Sequence, residues 1–224
     1  MPIIYKFFYK FVSTKYIAMI SKTIKNLRDN NFEVFFAEDI INANEIFKDI
    51  ISSLNFTTVS YGDSMTMKTT ESLNILKNME NVEFIETFDK NYSQEEKISK
   101  RKMALTADLF ITGTNAITEF GQLVNLDMVG NRIGGINFGP KNVILFVGVN
   151  KIVKDLTEAF IRIKTISAPL NAKLHTNLIT PCQKNGECVE CSCDDRLCNS
   201  WLITEKSFPK HRIKIILINK ELGL

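Results

Sequence analysis

The chain has 224 residues, 45% of them apolar and 24% charged, with a formal net charge of +3. That is enough apolar material for a sizeable core, and at about 150 residues per domain the length suits one α/β domain with an appendage. The small, scattered charge gives no ground for a nucleic-acid partner, and no segment reaches the roughly 18–20 uncharged apolar residues that a membrane span needs.

Residues 1–13 are aromatic and apolar, but Lys6 and Lys10 interrupt them. They lack the unbroken apolar core and small-residue cleavage site of a signal peptide, so they read as a partly exposed N-terminal extension or packing arm, and the protein is expected in the cytoplasm. Ile17, Ile20, Ile24 and Leu27 then fall on one face at helical spacing, and Asp29-Asn30-Asn31 closes that helix. Residues 32–37 read as a strand. Asn42 with Glu45 three residues later resembles a capping box, followed by a buried stripe of Ile46, Ile50 and Leu54. A strand over 56–61 runs into Gly62-Asp63-Ser64, a helix is expected over 69–78, and a strand over 82–87. Ser93 with Glu96 gives a second capping box for a helix reaching about Ala107.

Leu109-Phe110-Ile111 and Val143-Ile144-Leu145-Phe146-Val147 are apolar without alternation, as strands buried on both faces of a parallel sheet must be. Between them, 132–138 reads as a further short strand. A helix over 155–166 turns Leu156, Ala159, Phe160 and Ile163 inward, and 213–218 is a closing strand. Alternation of this kind predicts an α/β fold, an open, mostly parallel sheet in three layers, with ligands beyond the carboxyl ends of the strands. Three loops have the composition for such a site: 62–66, 113–132 and 148–151.

All five cysteines fall between Cys182 and Cys198, in the spacing C-x5-C-x2-C-x-C-x4-C. Their odd number and the lack of any sign of an oxidising compartment argue against a disulfide framework. Four thiolates on one metal explain the clustering, with a thiol redox site as the alternative. Zinc in a closed sulfur site would brace a segment too short for a core; an iron–sulfur cluster uses the same ligands, although the spacing matches neither common ferredoxin pattern. Cys193 stands one residue from Cys191, a separation that strains joint ligation, so the expected metal ligands are Cys182, Cys188, Cys191 and Cys198.

Gly62, Asp63 and Ser64 directly follow a strand, where exposed backbone amides suit a phosphate or carboxylate; the same residues also make an ordinary capped turn. The stretch from Gly113 to Arg132 is denser in small and amide residues. Gly113, Thr114, Asn115, Gly121, Asn125 and Asn131 are candidate ligand contacts, Glu119 a candidate acid or base, and Arg132 a candidate bidentate partner for an anion. A tight hairpin whose glycines and asparagines serve turns is the other reading. His175 and His211 lie far in sequence from these loops and read as structural or surface residues.

The segments VSYGDSMTM (59–67), ADLFITGTNAITEFGQLVNLDMVGNRIGGINFGPKNVILFVGVNKIVKDL (107–156) and PCQKNGECVECSCDDRLCN (181–199) together resemble the LUD (lactate utilization) domain, formerly DUF162, over roughly residues 14–224. The resemblance implies a sheet like that of sugar-phosphate isomerases and CoA transferases, and a connection with oxidation of lactate to pyruvate, in which family members work within multi-subunit iron–sulfur systems. Two functions follow. One is an accessory or electron-transfer component of lactate oxidation, with other oxidation subunits as partners and zinc or an iron–sulfur cluster at the cysteines. The other is an enzyme acting on a small phosphorylated or CoA-linked anion through the glycine-rich loops. The chain departs from the family at Asp63, where a second glycine is common, at Phe120, and at Cys193-Asp194-Asp195-Arg196. Asp63 brings negative charge into the loop proposed for an anion.

Overall fold

The computed structural model describes residues 3–224, with side chains from residue 14 onward. The expectation for residues 1–13 concerns side chains outside that range. The elements run α1 (Ile3–Asp29), β1 (Glu33–Ala37), α2 (Ile40–Ser52), β2 (Thr58–Tyr61), α3 (Met65–Lys68), α4 (Ser72–Lys77), β3 (Glu83–Ile85), α5 (Gln94–Ala104) and β4 (Leu109–Thr112). They continue with β5 (Ala116–Thr118), β6 (Leu123–Asp127), α6 (Asn131–Asn137), β7 (Asn142–Gly148), β8 (Ile152–Val153), α7 (Leu156–Arg162), α8 (Ala168–Leu174), α9 (Pro181–Asn185), β9 (Ser200–Thr204) and β10 (Ile213–Ile218). A 3-10 turn, Val149–Lys151, follows β7, and a π-helical turn, Ile163–Ser167, joins α7 to α8.

Six strands form one sheet in the order β1-β10-β7-β4-β2-β3, every pair parallel. Side chains alternate between its faces, so each apolar run serves two cores. Val143, Leu145 and Val147 of β7 and Ile213, Ile215 and Leu217 of β10 pack against Ile20 and Leu27 of α1, Ala104 of α5 and Ile136 of α6. Ile144, Phe146, Ile216 and Ile218 face the other way, against Phe47 and Ile50 of α2, Met67 of α3 and Leu76 of α4. The chain is therefore an α/β protein with helices on both faces of a parallel sheet, and the apolar runs without alternation have the cause expected of them.

A second sheet, β8-β5-β6-β9, stands beside the first. Its β5–β6 hairpin is antiparallel, and Ala116, Val124 and Leu126 pack against Ala159 and Ile163. Its strands β5 and β6 lie within the stretch expected to be loop, 113–132. Residues 132–138, expected as a strand, form α6 instead. Gly130 enters it with φ 94°, and Gly135 lies flat on the Phe110 ring, so tertiary packing decides what the local Ile-Gly-Gly-Ile pattern leaves ambiguous. The helix expected over 69–78 is the shorter α4 (Ser72–Lys77), and a further short helix, α3 (Met65–Lys68), precedes it, starting inside the stretch expected as loop. Ile17 is exposed, so the buried stripe of α1 begins at Ile20, and Phe160 lies half-exposed, edge-on to Trp201.

The cap of α2 also moves. Asp39 is the N-cap and accepts from the Asn42 amide at 2.9 Å, while Asn42 reaches Glu45 only at 3.4 Å within the helix. The box at Ser93 and Glu96 forms as expected, with reciprocal bonds of 3.1 and 2.8 Å. Since all six strands of the large sheet are parallel, the turns after β2, β4, β7 and β10 emerge on one side, and the site lies there.

Candidate functional site

A cleft of about 690 Å³ opens at those carboxyl ends. Asp63 and Ser64 enter it after β2, Gly113 to Asn115 after β4, and Lys151 after β7; Asn131 and Arg132 come from α6, and the π-helical turn closes one wall with Ile163 and Ser167. Gly113 is required by close approach. A Cβ there would run into the Ser64 hydroxyl and the Phe146 carbonyl, so the turn after β4 can pass under Ser64 only without a side chain.

Three buried cations gather around the Thr114–Asn115 turn. Arg132 donates to Asn125 Oδ1 at 2.6 Å, Asn115 Oδ1 at 2.9 Å and the Leu126 carbonyl at 2.8 Å, and its Nε faces Asp127 at 3.3 Å. Arg162 donates to the Asn115 carbonyl at 2.9 Å and to Ser167 Oγ at 2.8 Å, bridging the π-helical turn. Lys151 is only 4% exposed, and its ammonium has one partner, the Thr114 carbonyl at 3.1 Å. Burial first, then the positive charges of Arg162 and Arg132, bring the Lys151 pKa down to about 7. Close to neutral pH, then, much of this side chain is a free amine.

The acids of the cleft are already engaged. Asp63 pairs with Lys68 at 2.5 Å and Asp127 with Arg132. Arg101, by contrast, lies with its guanidinium 5.4 Å from the Phe88 ring centroid, and its Nε is buried with no hydrogen-bond partner. Lys151 and Arg101 are thus two cationic side chains lining the cleft for which no carboxylate forms an ion pair among the described residues.

The cysteine segment borders the same cleft. Leu197 and Cys198 line it, and on their other side they line a small cavity of about 20 Å³. Cys182, Cys188, Cys191 and Cys198 all face that cavity, together with Lys164 and Arg196; Cys193 does not, and its Sγ lies 3.6 Å from that of Cys191. All five thiols are free and partly exposed. Arg196 ties the segment together, donating to the carbonyls of Cys191 and Cys198, and Glu190 bonds Lys164 at 2.7 Å. Among the described residues, no three Cys, His, Asp or Glu side chains are gathered tightly enough to hold a metal ion as they stand.

The sequence profile of the LUD domain matches residues 20–218. The chain belongs to the LUD domain family. It is also similar to the crystal structure of a DUF162 family protein from Deinococcus radiodurans at 1.70 Å resolution, with 14% identity, 91% of this chain and 98% of that chain covered, and a TM-score of 0.47. No curated protein matches the sequence. No helix among the described residues of this LUD domain is long and apolar enough to cross a membrane.

Most of the residues picked from the sequence meet in the cleft: Asp63, Ser64, Gly113, Thr114, Asn115, Asn131 and Arg132 line it. Gly62 and Asn125 stand behind them, Gly62 packed against Phe110 and the Arg132 stem, and Asn125 holding Arg132. Arg132 is so fully engaged by the protein that it shapes the turn and lends its charge. Glu119 and Gly121 lie elsewhere. They sit in the β5–β6 turn against α1, with Glu119 paired to Lys22 at 2.8 Å and Gly121, at φ 79°, touching the Asn26 backbone. His175 lines the cleft, while His211 lies away from it. The sequence reading missed Lys151, Arg101 and Arg162. Lys151 did carry a signal, because it ends the 148–151 loop after the longest apolar strand; the other two look like ordinary surface charges on helices.

Proposed function

We propose that this LUD-family protein serves lactate utilization as an accessory component that binds a small anionic metabolite in the cleft at the strand ends. The observation that carries this reading is the imbalance of charge there. Asp63 and Asp127 are neutralised by Lys68 and Arg132, while Lys151 and Arg101 face the cleft without an acid. A buried cation without a counter-ion is costly, and an anionic ligand would offset that cost on binding. A thermal-shift series with lactate, pyruvate, inorganic phosphate and CoA tests the reading. At 100 times its Kd a true ligand stabilises by about 2.7 kcal/mol. Arg101→Ala should weaken that response and Glu119→Gln should leave it intact. If none of the four anions stabilises the protein, the reading fails.

The cysteine segment is proposed to hold one metal ion through Cys182, Cys188, Cys191 and Cys198. The donor chemistry fits: four thiols border one small cavity, and Lys164 and Arg196 beside it would balance the negative charge left on a divalent ion bound by four thiolates. The thiols would have to draw closer to bind. Four thiolates alone complete a closed zinc site, and their spacing matches neither common ferredoxin pattern, which favours zinc over an iron–sulfur cluster. When bound, zinc would supply a structural brace for the rim of the cleft. Metal analysis after anaerobic purification should give one zinc per chain, retained in Cys193→Ser and lost in Cys198→Ser. A brown, iron-containing protein would favour the electron-transfer role instead.

A further inference from the structure

Lys151 is an unusual residue to find at the floor of an anion-binding cleft. Lysines that merely attract anions sit on surfaces, where the ammonium stays hydrated and charged. Lys151 is 4% exposed, sits in the turn after the central strand β7, and lines the cleft. Its amine has one hydrogen-bond acceptor, the Thr114 carbonyl, and the charged groups that set its protonation are Arg162 and Arg132, both positive. Gly223, at φ 72°, packs its backbone close to the Lys151 amine, and the Leu224 oxygen beyond it accepts from Arg162 at 3.3 Å. A buried amine among cations, with no side-chain carboxylate paired to it among the described residues, is a nucleophile at neutral pH.

We propose that Lys151 forms an imine with the carbonyl carbon of a small 2-oxo acid bound in the cleft. This rests on the anion-binding reading above and names its ligand class. The amine nitrogen adds to the ketone carbon, the carbonyl oxygen leaves as water, and a C=N bond joins substrate to lysine, with no change in oxidation state. The imine works as an electron sink only when protonated, and that step adds positive charge beside Arg132 and Arg162. A carboxylate on the adjoining carbon supplies the compensating negative charge. A neutral aldehyde or ketone brings none, and a 2-hydroxy acid has no carbonyl to attack. The charge pattern and the amine therefore select the same class of compound.

The experiment uses the full chain with pyruvate, the simplest 2-oxo acid, and lactate as its carbonyl-free counterpart. The two are compared by thermal shift and, in parallel, by reduction with borohydride, followed by intact-protein and peptide mass spectrometry. We expect one pyruvate-derived group, reduced to a stable secondary amine, on the peptide carrying Lys151. No label is expected with lactate, and Lys151→Arg should lose the label while still unfolding cooperatively. Thermal stabilisation by pyruvate with no label, or with label spread over surface lysines, overturns the imine and leaves the anion site standing. Absence of both stabilisation and label overturns both. Because the labelled position is mapped in the wild-type protein, the conclusion does not depend on any variant folding.

Discussion

The two ends of the parallel sheet use the same kinds of charged residue, but only one of them leaves cations short of partners. At the amino ends the buried charges, Arg212 and Lys214, are answered. Arg212 donates to the carbonyls of Pro140, Ile136 and Gly135 at 2.9, 2.6 and 3.0 Å, and Asp108 accepts from Thr57, Thr58 and Lys141. At the carboxyl ends Lys151 has a single carbonyl and Arg101 a stranded Nε. Burial is similar for Arg212 and Lys151, so burial alone does not separate the two ends. What differs is whether the chain supplies partners. Polar groups satisfied by the chain hold the fold together, and the cations it leaves short of partners in the cleft are the ground for the proposed anion site.

The largest expected effect tests the satisfied end. Arg212→Ala would strand three buried carbonyls at once. Each buried acceptor left without a partner costs about 1–3 kcal/mol, so a loss of about 3 kcal/mol or more in urea unfolding is expected, with ligand-induced stabilisation unchanged. A variant as stable as the wild type would show that water replaces the guanidinium, and the contrast between the ends would lose its basis.

How much of this was legible in the sequence follows the same division. β4 and β7 could be read because residues 109–111 and 143–147 are apolar throughout, as a strand buried on both faces requires, and β10 because Lys214 alone interrupts its apolar run. The Ser93 box could be read because both its partners are local. The second sheet was hidden, since β5, β6 and β9 are short and carry Thr, Asn and Ser in a stretch rich in turn residues. α6 was misread because its helical state depends on Phe110 and Leu105, far away in sequence, accepting two glycines against them. Lys151 could be placed in a candidate loop but not given a role. Its surroundings, the Thr114 carbonyl and the charges of Arg132 and Arg162, come from distant parts of the chain, and nothing in Val-Asn-Lys-Ile announces that.

An intermediate effect, opposite in sign, tests the unsatisfied end. Lys151→Met removes a poorly compensated buried amine while keeping its volume, and should raise stability by about 1–3 kcal/mol. The sign of its pH dependence follows from linkage. The native pKa of about 7 lies below the ordinary 10.5, so between those values the unfolded chain binds more protons than the folded one. Wild-type stability therefore rises with pH through that window, as the cost of giving up the Lys151 proton on folding falls. The advantage of the methionine variant should be largest below pH 7 and should shrink towards pH 10. Equal urea midpoints at pH 6 and pH 9 would mean that Lys151 is solvated, and that the cleft floor is not the low-dielectric site described here.

The smallest effect returns to the amino ends and has the opposite pH dependence. The Lys141 ammonium, the Thr57 amide and the hydroxyls of Thr57 and Thr58 hold the Asp108 carboxyl well below the usual carboxylate range. A carboxylate with a depressed native pKa stabilises the fold above its unfolded value of about 4, and that contribution is lost as pH falls through the native value. Lys141 is largely in solvent, so its attraction is screened and the stabilisation is modest. Asp108→Asn should lower the melting temperature at pH 7 by about 2 °C, with the difference closing in strong acid. Added salt should shrink the gap at pH 7 but not abolish it, because the threonine donors lie beneath the exposed lysine. If 1 M salt erased the whole difference, the carboxylate would be held by Lys141 alone, and the staple joining the starts of β2 and β4 would contribute nothing.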